Sequence, residues 1–303
     1  MIRRFPTSFW KNQNRMNKII RIAGLGTLIT TLIFLSACEI TYDNNISTEQ
    51  TIRVLEQSSQ STTVYKDIFN QVNNTMRYAE DSINEANEAK PVVKDPFPAL
   101  SIEPFDSDTW PKTITLDYGP VDHLCSDMRE RRGKLIITAT SFYSQPGCEL
   151  RIQFDNFYQD NFKIEGTQTI NFVEISNDSI PQFDVAIENG IIHAPDAKTY
   201  QFTQQTHREW QEGHSTPLLY EDDVYKITGV QEGMSSDSIE YDISIRDNSP
   251  LDVWVKCRWI RSGTMDINIH SMDDDITLDF GDGECDNYAT ATFRGSEYLI
   301  NME

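Results

Sequence analysis

The stretch Ile239–Ile245 reads IEYDISI and places Ile239, Tyr241, Ile243 and Ile245 at every second position, with Glu240, Asp242 and Ser244 between them. Successive side chains of a strand point to opposite faces of the sheet, so this period of two is typical of a strand with one buried and one solvent-exposed face. The same alternation recurs at Met265–Ile269 (MDINI) and at Ile114–Tyr118 (ITLDY). These stretches predict an antiparallel sheet.

Turn signals separate the predicted strands. Asn189-Gly190, between Phe183–Ile187 and Ile191, is the strongest hairpin signal in the chain and favours a type I′ turn. Ser262-Gly263 indicates a second hairpin. About ten candidate strands and no long helical pattern follow residue 112. We therefore predict a mainly β protein, with an all-β domain at 112–303 built as a sandwich or a curved meander.

One short segment is repeated. Ile114–Gly119 (ITLDYG) is echoed by Ile276–Gly281 (ITLDFG), and a cysteine follows each copy. The echo is consistent with a duplication, and equally with two strands that meet the same local demands.

One amphipathic helix is predicted at 64–90, before the sheet. Its apolar residues recur in steps of four and three from Tyr65 to Ala86, and Ser61–Thr63 and Pro91 offer a start and an end. A coiled-coil arm and a helix packed on the body of the same chain both fit this stripe. We favour packing on the body, because the stripe is short and contains two alanines. Residues 38–63 are interpreted as a flexible tether, and the prolines of 91–111 as a stiff linker.

The N-terminus has the layout of an export signal. A basic head precedes an uncharged run from Ile22 to Leu35. That run, about 14 residues, is shorter than the ~20 needed to span a bilayer as a helix, which argues against a permanent transmembrane anchor. Met1 and Met16 are both consistent with the start of translation, since the segment from Met16 already contains every part of the signal.

Leu35-Ser36-Ala37-Cys38 closely resembles the lipobox of bacterial lipoproteins. The resemblance implies removal of residues 1–37 and attachment of acyl chains such as palmitate to Cys38, which would hold the protein on a membrane. An ordinary signal peptide that ends near a cysteine is the alternative. Glu39, which follows Cys38, implies by the same resemblance the outer membrane, in either its periplasmic or its surface leaflet.

The chain is strongly acidic. It contains 26 Lys and Arg against 47 Asp and Glu, a net charge of −21. Signal cleavage would remove six basic residues and no acidic one, leaving −27. Such a charge repels phosphate backbones, so nucleic acid is not an expected partner.

Four cysteines besides Cys38 form an even set, which in an exported chain suggests disulfides. Four cysteines allow three connectivities, and proximity in sequence favours Cys257–Cys285 and Cys125–Cys148. Because no CxxC pair is present, we expect neither a zinc site nor another cofactor.

Motifs for catalysis are absent from the sequence, and we expect no enzymatic activity. Two polar clusters are the best candidates for a metal or an acid–base site. The first is His207, Glu209, Glu212 and His214, and the second is Asp279, Asp282, Glu284 and Asp286 with the preceding Asp273–Asp275. We interpret the first as the solvent-exposed face of a strand, with His207 and Glu209 opposite Phe202 and Trp210, and the second as an acidic surface turn.

Aromatic residues are the best candidates for ligand contact. Phe154, Phe157, Tyr158 and Phe162 cluster, but most rings are expected in the core. Trp254 is predicted on the strand face opposite Cys257 and Trp259 and is the candidate for an exposed contact. Three Asp-Ser-Ile tripeptides resemble the acceptor of Bacteroidota O-glycosylation, which would modify Ser82, Ser179 and Ser238.

Several short motifs together are similar to a family of Bacteroidota outer-membrane lipoproteins that has no assigned activity. They are Arg131–Lys134 (RRGK), Arg208–Trp210 (REW) with Gly213, Asp223–Gly229 (DVYKITG), Cys257–Trp259 (CRW), Ser262-Gly263 and Gly281–Asn287 (GDGECDN), beside the ITLDYG stretch and the lipobox. The resemblance covers residues 112–303 and implies location and fold; Cys148 departs from the family pattern.

We therefore expect a lipid-anchored cell-envelope protein with a non-enzymatic binding or structural role, whose partner is an envelope protein or a glycan. The alternative is a glycan-binding lipoprotein associated with polysaccharide uptake.

Overall fold

A computed structural model of the chain describes residues 46–85, 98–176, 178–216 and 219–302. The predicted signal peptide, Cys38 and the first part of the predicted tether lie outside these residues.

The described chain consists of one long helix followed by fifteen strands, with a single-turn 3₁₀ helix at Tyr220–Asp222 between the eighth and ninth strands. The helix, α1, is Thr48–Glu85. The strands are β1 Ala99–Glu103, β2 Lys112–Asp117, β3 His123–Leu124, β4 Glu130–Ala139, β5 Glu149–Gln159, β6 Phe162–Ile175, β7 Pro181–His193, β8 Thr199–Glu212, β9 Val224–Met234, β10 Glu240–Ile245, β11 Leu251–Trp254, β12 Ser262–Ile269, β13 Ile276–Asp282, β14 Tyr288–Phe293 and β15 Ser296–Asn301.

All strands belong to one antiparallel sheet, which confirms the predicted mainly β class. Of the two forms left open by the sequence, a sandwich and a meander, the single sheet corresponds to the meander. The strand order is β1-β2-β4-β5-β6-β7-β8-β9-β10-β12-β13-β14-β15, so almost every strand pairs with its neighbour in sequence. Two short strands lie off this path: β3 pairs with β4, and β11 pairs with β9 and β12. The clean alternation of IEYDISI and MDINI is realised in β10 and β12, which pair over Tyr241–Ile245.

The sheet encloses α1. Nine consecutive helix residues, Ser61 to Phe69, are all buried. Nine residues make about two and a half turns, so every side of the helix is covered over this length. Tyr65 shows the packing: its ring stacks on Phe202 of β8 and meets Phe154 of β5 edge-on. The helix therefore packs on the body, as favoured from the sequence.

The helix is longer than predicted and begins earlier. It starts at Thr48, not at residue 64, so the expectation that 48–63 is a flexible tether is wrong. The start is a capping box: the Gln50 N–H donates to Ser47 Oγ (3.2 Å), and the Ser47 N–H donates to Gln50 Oε1 (3.0 Å). Among the described residues, no helix combines the length and the apolarity needed to cross a bilayer.

Serine and threonine residues make the buried part of α1 that precedes residue 64 compatible with the core. Ser58, Ser61 and Thr62 donate their hydroxyls to helix carbonyls three or four residues back. These three hydroxyls are thus satisfied within the helix, and Thr62 also donates to Gln231 of β9 (3.1 Å). Because serine and threonine are polar residue types, the apolar periodicity of the sequence does not mark them as core.

Bulges bend the sheet around the helix. The predicted Asn189-Gly190 turn is wrong: β7 runs straight through both residues to His193. Asn189 has φ 52° and the β7–β8 register shifts between Ile187 and Gly190, so the pair forms a bulge. Gly166 on β6 lies against it at φ 116°. The sequence signal is the same for both structures, since a bulge and a type I′ turn both need positive φ.

The predicted proline linker at 91–111 is wrong at residues 99–103, because β1 lies within it. Residues 99–103 pair with β2 along the edge of the sheet. An edge strand tolerates nearby prolines, since only one side forms a ladder.

The two copies of the repeated segment, ITLDYG and ITLDFG, have the same local structure. Both copies lie in a strand, β2 and β13, and in both the Asp accepts the N–H of the second following residue: Asp117 from Gly119 (2.8 Å) and Asp279 from Gly281 (2.9 Å). Both glycines have positive φ.

We expect Gly190→Ala to lower the free energy of unfolding by about 2–3 kcal/mol, measured by urea denaturation. A Cβ at Gly190 would lie 2.4 Å from the Phe202 carbonyl oxygen and 2.8 Å from the Tyr65 hydroxyl, so sheet and helix would both have to move. The control is Gly147→Ala, which meets no atom within 4 Å and should cost about 1 kcal/mol through its positive φ alone. Equal losses in the two variants would contradict a steric role for the bulge.

Candidate functional site

Ionisable groups that are buried against α1 form two connected clusters. The first, here called the charged clasp, consists of Lys66 and Asp67 of α1, Arg129 before β4, Asp160 in the β5–β6 turn and Arg258 in the β11–β12 loop. The second, here called the Asp223 cluster, contacts the last third of the helix. It consists of Asn73 and Arg77 of α1 with Tyr143, Trp210, Asp223 and Tyr225.

The charged clasp joins the two wings of the sheet over the helix. Lys66 Nζ donates to the Arg258 carbonyl (2.6 Å) and pairs with Asp67 (3.1 Å). Arg129 pairs with Asp67 and Asp160 at 2.6 Å each. Arg258 reaches Asp160 at 3.3 Å. Four strands, β7 to β10, separate β6 from β12 in the sheet order, so this contact holds the curled sheet closed.

Electrostatics favour the ionised clasp. Burial opposes ionisation of Asp67, but the charges of Lys66 and Arg129 outweigh it and hold the pKa of Asp67 below its usual value. Burial lowers the pKa of Lys66, and Asp67 opposes that effect. Gln159 completes the site by donating to Asp67 Oδ2 (3.1 Å). Every member is thus held by a partner, which suits a structural lock.

A disulfide fixes the loop that carries Arg258. Cys257 is bonded to Cys285, as predicted. The bond ties the β11–β12 loop to the loop after β13 and limits how far Arg258 can move from Lys66.

The predicted Cys125–Cys148 disulfide is wrong: both residues are free thiols. Cys125 follows β3, which pairs with the start of β4, whereas Cys148 lies beside Thr140 just beyond the end of β4. The ten residues of β4 separate the two by about 30 Å, and a disulfide needs Cα atoms within about 7 Å.

The Asp223 cluster is a second buried network. Asp223 accepts hydrogen bonds from Arg77 Nη2 (2.6 Å) and from Trp210 Nε1 (3.1 Å). Asn73 donates to the Tyr225 hydroxyl and accepts from the Tyr143 hydroxyl, both at 2.6 Å. Burial raises the pKa of Asp223 to about 6, although Arg77 opposes the shift. The cluster joins α1 to β8, β9 and the β4–β5 loop.

The two clusters absorb much of the motif set found in the sequence. Trp210 comes from REW, Asp223 and Tyr225 from DVYKITG, and Arg258 from CRW. Their partners on the helix, Lys66, Asp67 and Arg77, were not predicted. The apolar stripe does not distinguish them from the other charged residues of α1.

The four predicted polar residues at the end of β8 do not form one site. His207 and Glu209 lie on the outer face, as the alternation predicts, and His207 Nδ1 contacts Asp184 (2.8 Å). His214 instead packs edge-on against Trp210. Glu212 is exposed at the end of β8.

The acidic residues near the C-terminus lie in two separate places. Asp273–Asp275 precede β13, whereas Asp282 is its last residue and Glu284 and Asp286 follow it, about 20 Å away along the strand. Asp279 and Asp286 accept backbone N–H groups of their own turns. Within the described ranges, no group of three or more His, Cys, Asp or Glu is arranged to hold a metal ion.

Trp254 is less available than predicted. It is half-buried, its indole N–H donates to the Glu221 carbonyl (2.9 Å), and the Arg261 guanidinium lies 5.3 Å from the ring centre. The predicted strand face ends at this residue, because β11 stops at Trp254.

The Asp-Ser-Ile copies occupy two kinds of structure. Ser179 and Ser238 are exposed at positive φ in hairpin turns, where each N–H donates to the serine three residues back. Ser82 is half-buried in α1. The tripeptide thus has a structural explanation as a turn in two copies, and the glycosylation of any copy stays a prediction.

The outer face of the sheet carries a shallow depression of about 430 Å³ over β7, β8 and β9. The bulge at Asn189 forms one side. Exposed hydroxyl, amide and carboxylate groups line it: Glu188, Asn189, Thr203, Gln205 and Glu232. Val230 is its exposed apolar residue. Such a surface can hydrogen-bond an extended polar ligand.

We expect Asp223→Asn to destabilise the protein by about 1–3 kcal/mol at pH 7, since Arg77 and Trp210 donate to different oxygens of Asp223 and the amide keeps only one of them. The folded pKa of Asp223 is raised above the ordinary 3.8, so the stability from this group is complete below about pH 4 and is lost as the pH rises through about 6. The advantage of the wild type over Asp223→Asn, measured by urea unfolding, should be larger at pH 5 than at pH 7.

The control for this experiment is Asp274→Asn, which breaks the exposed ion pair with Arg294 and should change stability by less than about 1 kcal/mol at either pH. An advantage at Asp223 that grows with pH would contradict a buried, reluctantly ionised carboxyl.

No protein-family model matches the chain, and no curated protein or solved structure shows significant similarity to it.

Proposed function

We propose that the protein is a lipid-anchored component of the bacterial outer membrane with a non-enzymatic binding or structural role. The observation that carries this proposal is the Leu35–Cys38 lipobox behind a basic and apolar leader. Acyl chains at Cys38 would supply the anchor, at roughly 0.8 kcal/mol for each buried CH₂.

The position of α1 supports a body mounted close to the membrane. The helix begins ten residues after Cys38 in the sequence. Ten residues span at most about 35 Å, compared with about 85 Å for the 25-residue tether expected from the sequence. The helix that the sheet encloses is also the first described element after Cys38, so a pull on the proposed anchor would act on the core through a short segment.

The buried ionisable groups support a non-enzymatic role. Asp67 and Asp223 have shifted pKa values, which often mark catalytic sites. Here both carboxyls are enclosed between helix and sheet, and their oxygens accept from Lys, Arg, Gln and Trp side chains of the fold. Their shifts follow from their place in the packing.

A glycan is the second candidate ligand, favoured by the polar depression over β7–β9. Its amide, hydroxyl and carboxylate groups are the types that hydrogen-bond sugar hydroxyls, whereas its lining contains no aromatic ring for stacking. Recognition there would rest on hydrogen bonds.

Cys38→Ala should move the protein from the membrane fraction to the soluble fraction and abolish incorporation of a labelled palmitate analogue. The matched control is Cys125→Ala, which removes a half-exposed thiol and should leave both the fractionation and the labelling unchanged. Full membrane retention of Cys38→Ala would show that another feature holds the protein.

A broad glycan array tests the second candidate. If the depression binds a glycan, Gln205→Ala should lower the signal at least tenfold, because one hydrogen bond is worth about 1–1.5 kcal/mol and the truncated floor also loses contact. Gln201→Ala is the control, since Gln201 lies on the same face of β8 beyond the depression. No signal for the wild type across the array would remove this candidate.

A further inference from the structure

Arg208 is a buried cation among apolar neighbours. It lies on β8 and is 2% exposed. On the same face of the sheet it is flanked by Phe183 of β7 and Ile227 of β9, its partners in register. From above, the ring of Phe69 lies 4.1 Å from the guanidinium carbon.

None of these neighbours offers a negative charge. Arg208 Nε and Nη1 are buried and have no hydrogen-bond partner in the described structure. The face of an aromatic ring attracts a cation by about 2 kcal/mol when desolvated, which is less than the several kcal/mol needed to bury a guanidinium. The observed contacts therefore leave Arg208 undercompensated.

The nearest carboxylate network is already occupied. Asp223 accepts from Arg77 and Trp210, and the Tyr225 hydroxyl lies 3.5 Å from its second oxygen. The Tyr143 hydroxyl donates to Asn73, and Asn73 donates to Tyr225. Arg77 also has two buried donors, Nε and Nη1, that find no partner.

The numbers of buried cations and carboxylates around the helix also indicate that Arg208 lacks a counter-charge. Five buried cations face α1 or belong to it, whereas only two carboxylates are buried with them: Lys66, Arg77, Arg129, Arg131 and Arg208 against Asp67 and Asp223. Asp127 and Asp160 compensate Arg131 and Arg129 from nearer the surface. Arg208 has no such partner, although the whole chain has a net charge of −21.

We propose that Arg208 is the centre of a buried site for a small monovalent anion of the halide class, held by the free donors of its guanidinium between α1 and β8. A halide suits the site because it accepts several N–H donors without a fixed geometry and brings a single charge. Burial also lowers the pKa of Arg208 to about 9, and a bound anion would reverse that shift. The anion is a structural ligand, independent of the function proposed above.

The test measures thermal stability of the purified chain in chloride and in gluconate at equal ionic strength. If the site exists, Tm should rise with chloride relative to gluconate, by about 3 °C at a tenfold excess over Kd. Arg208→Met should fold, since replacing a buried charge by an apolar side chain of similar length is often neutral or stabilising, and its Tm should be equal in the two salts.

The matched control is Arg132→Met. Arg132 also stacks on an aromatic ring, Tyr158 at 3.6 Å, but it pairs with Asp122 near the surface and should keep the chloride dependence of the wild type. A bromide soak provides a second readout, with an anomalous peak beside the Arg208 guanidinium. Equal Tm in the two salts for the wild type, or density at the site without anomalous signal, would overturn the proposal and assign a water molecule instead.

Discussion

The enclosure of α1 is the constraint on which the rest of this structure depends. A helix that is covered on all sides cannot place its polar side chains in water, so each needs a partner from the protein or a size that costs little to bury. The chain uses both solutions. The hydroxyls of Ser58, Ser61 and Thr62 bond back to the helix itself. Lys66 and Arg77 meet opposite charges, and Lys66 also donates to a carbonyl of the β11–β12 loop.

The same constraint explains the form of the sheet. A meander of long antiparallel strands twists but does not by itself wrap around a rod of helix. Bulges at Gly133 with Asn156 and at Gly166 with Asn189 bend successive strands at the level of the helix, as shown by the shifted registers of β4–β5 and β6–β7. The clasp then joins the far wings through Arg258 and Asp160. Curvature and closure thus have separate causes.

In the proposed lipoprotein, this architecture would connect the anchor to the core. The first described residues after Cys38 lie at the start of a helix whose middle fills the interior. The outer face of β7–β9 then remains for contacts with a ligand, while the interior charges hold the helix. The disulfide at Cys257 acts on the same contact from outside, because it restrains the loop that accepts from Lys66.

The order of apolar and polar residues along the chain was enough to predict the antiparallel sheet, the existence and packing of one helix, the outward face of His207 and the Cys257–Cys285 bond. Each of these depends on neighbours in sequence or on a local period. The start of α1, the run of β7 through Asn189-Gly190, the separation of Cys125 from Cys148 and the burial of Lys66, Asp67, Arg77 and Arg208 depend instead on strands that are distant in sequence. A charged or hydroxyl-bearing residue becomes part of a core only when another segment supplies its counter-charge or covers its face, and that supply is settled when the sheet curls around the helix.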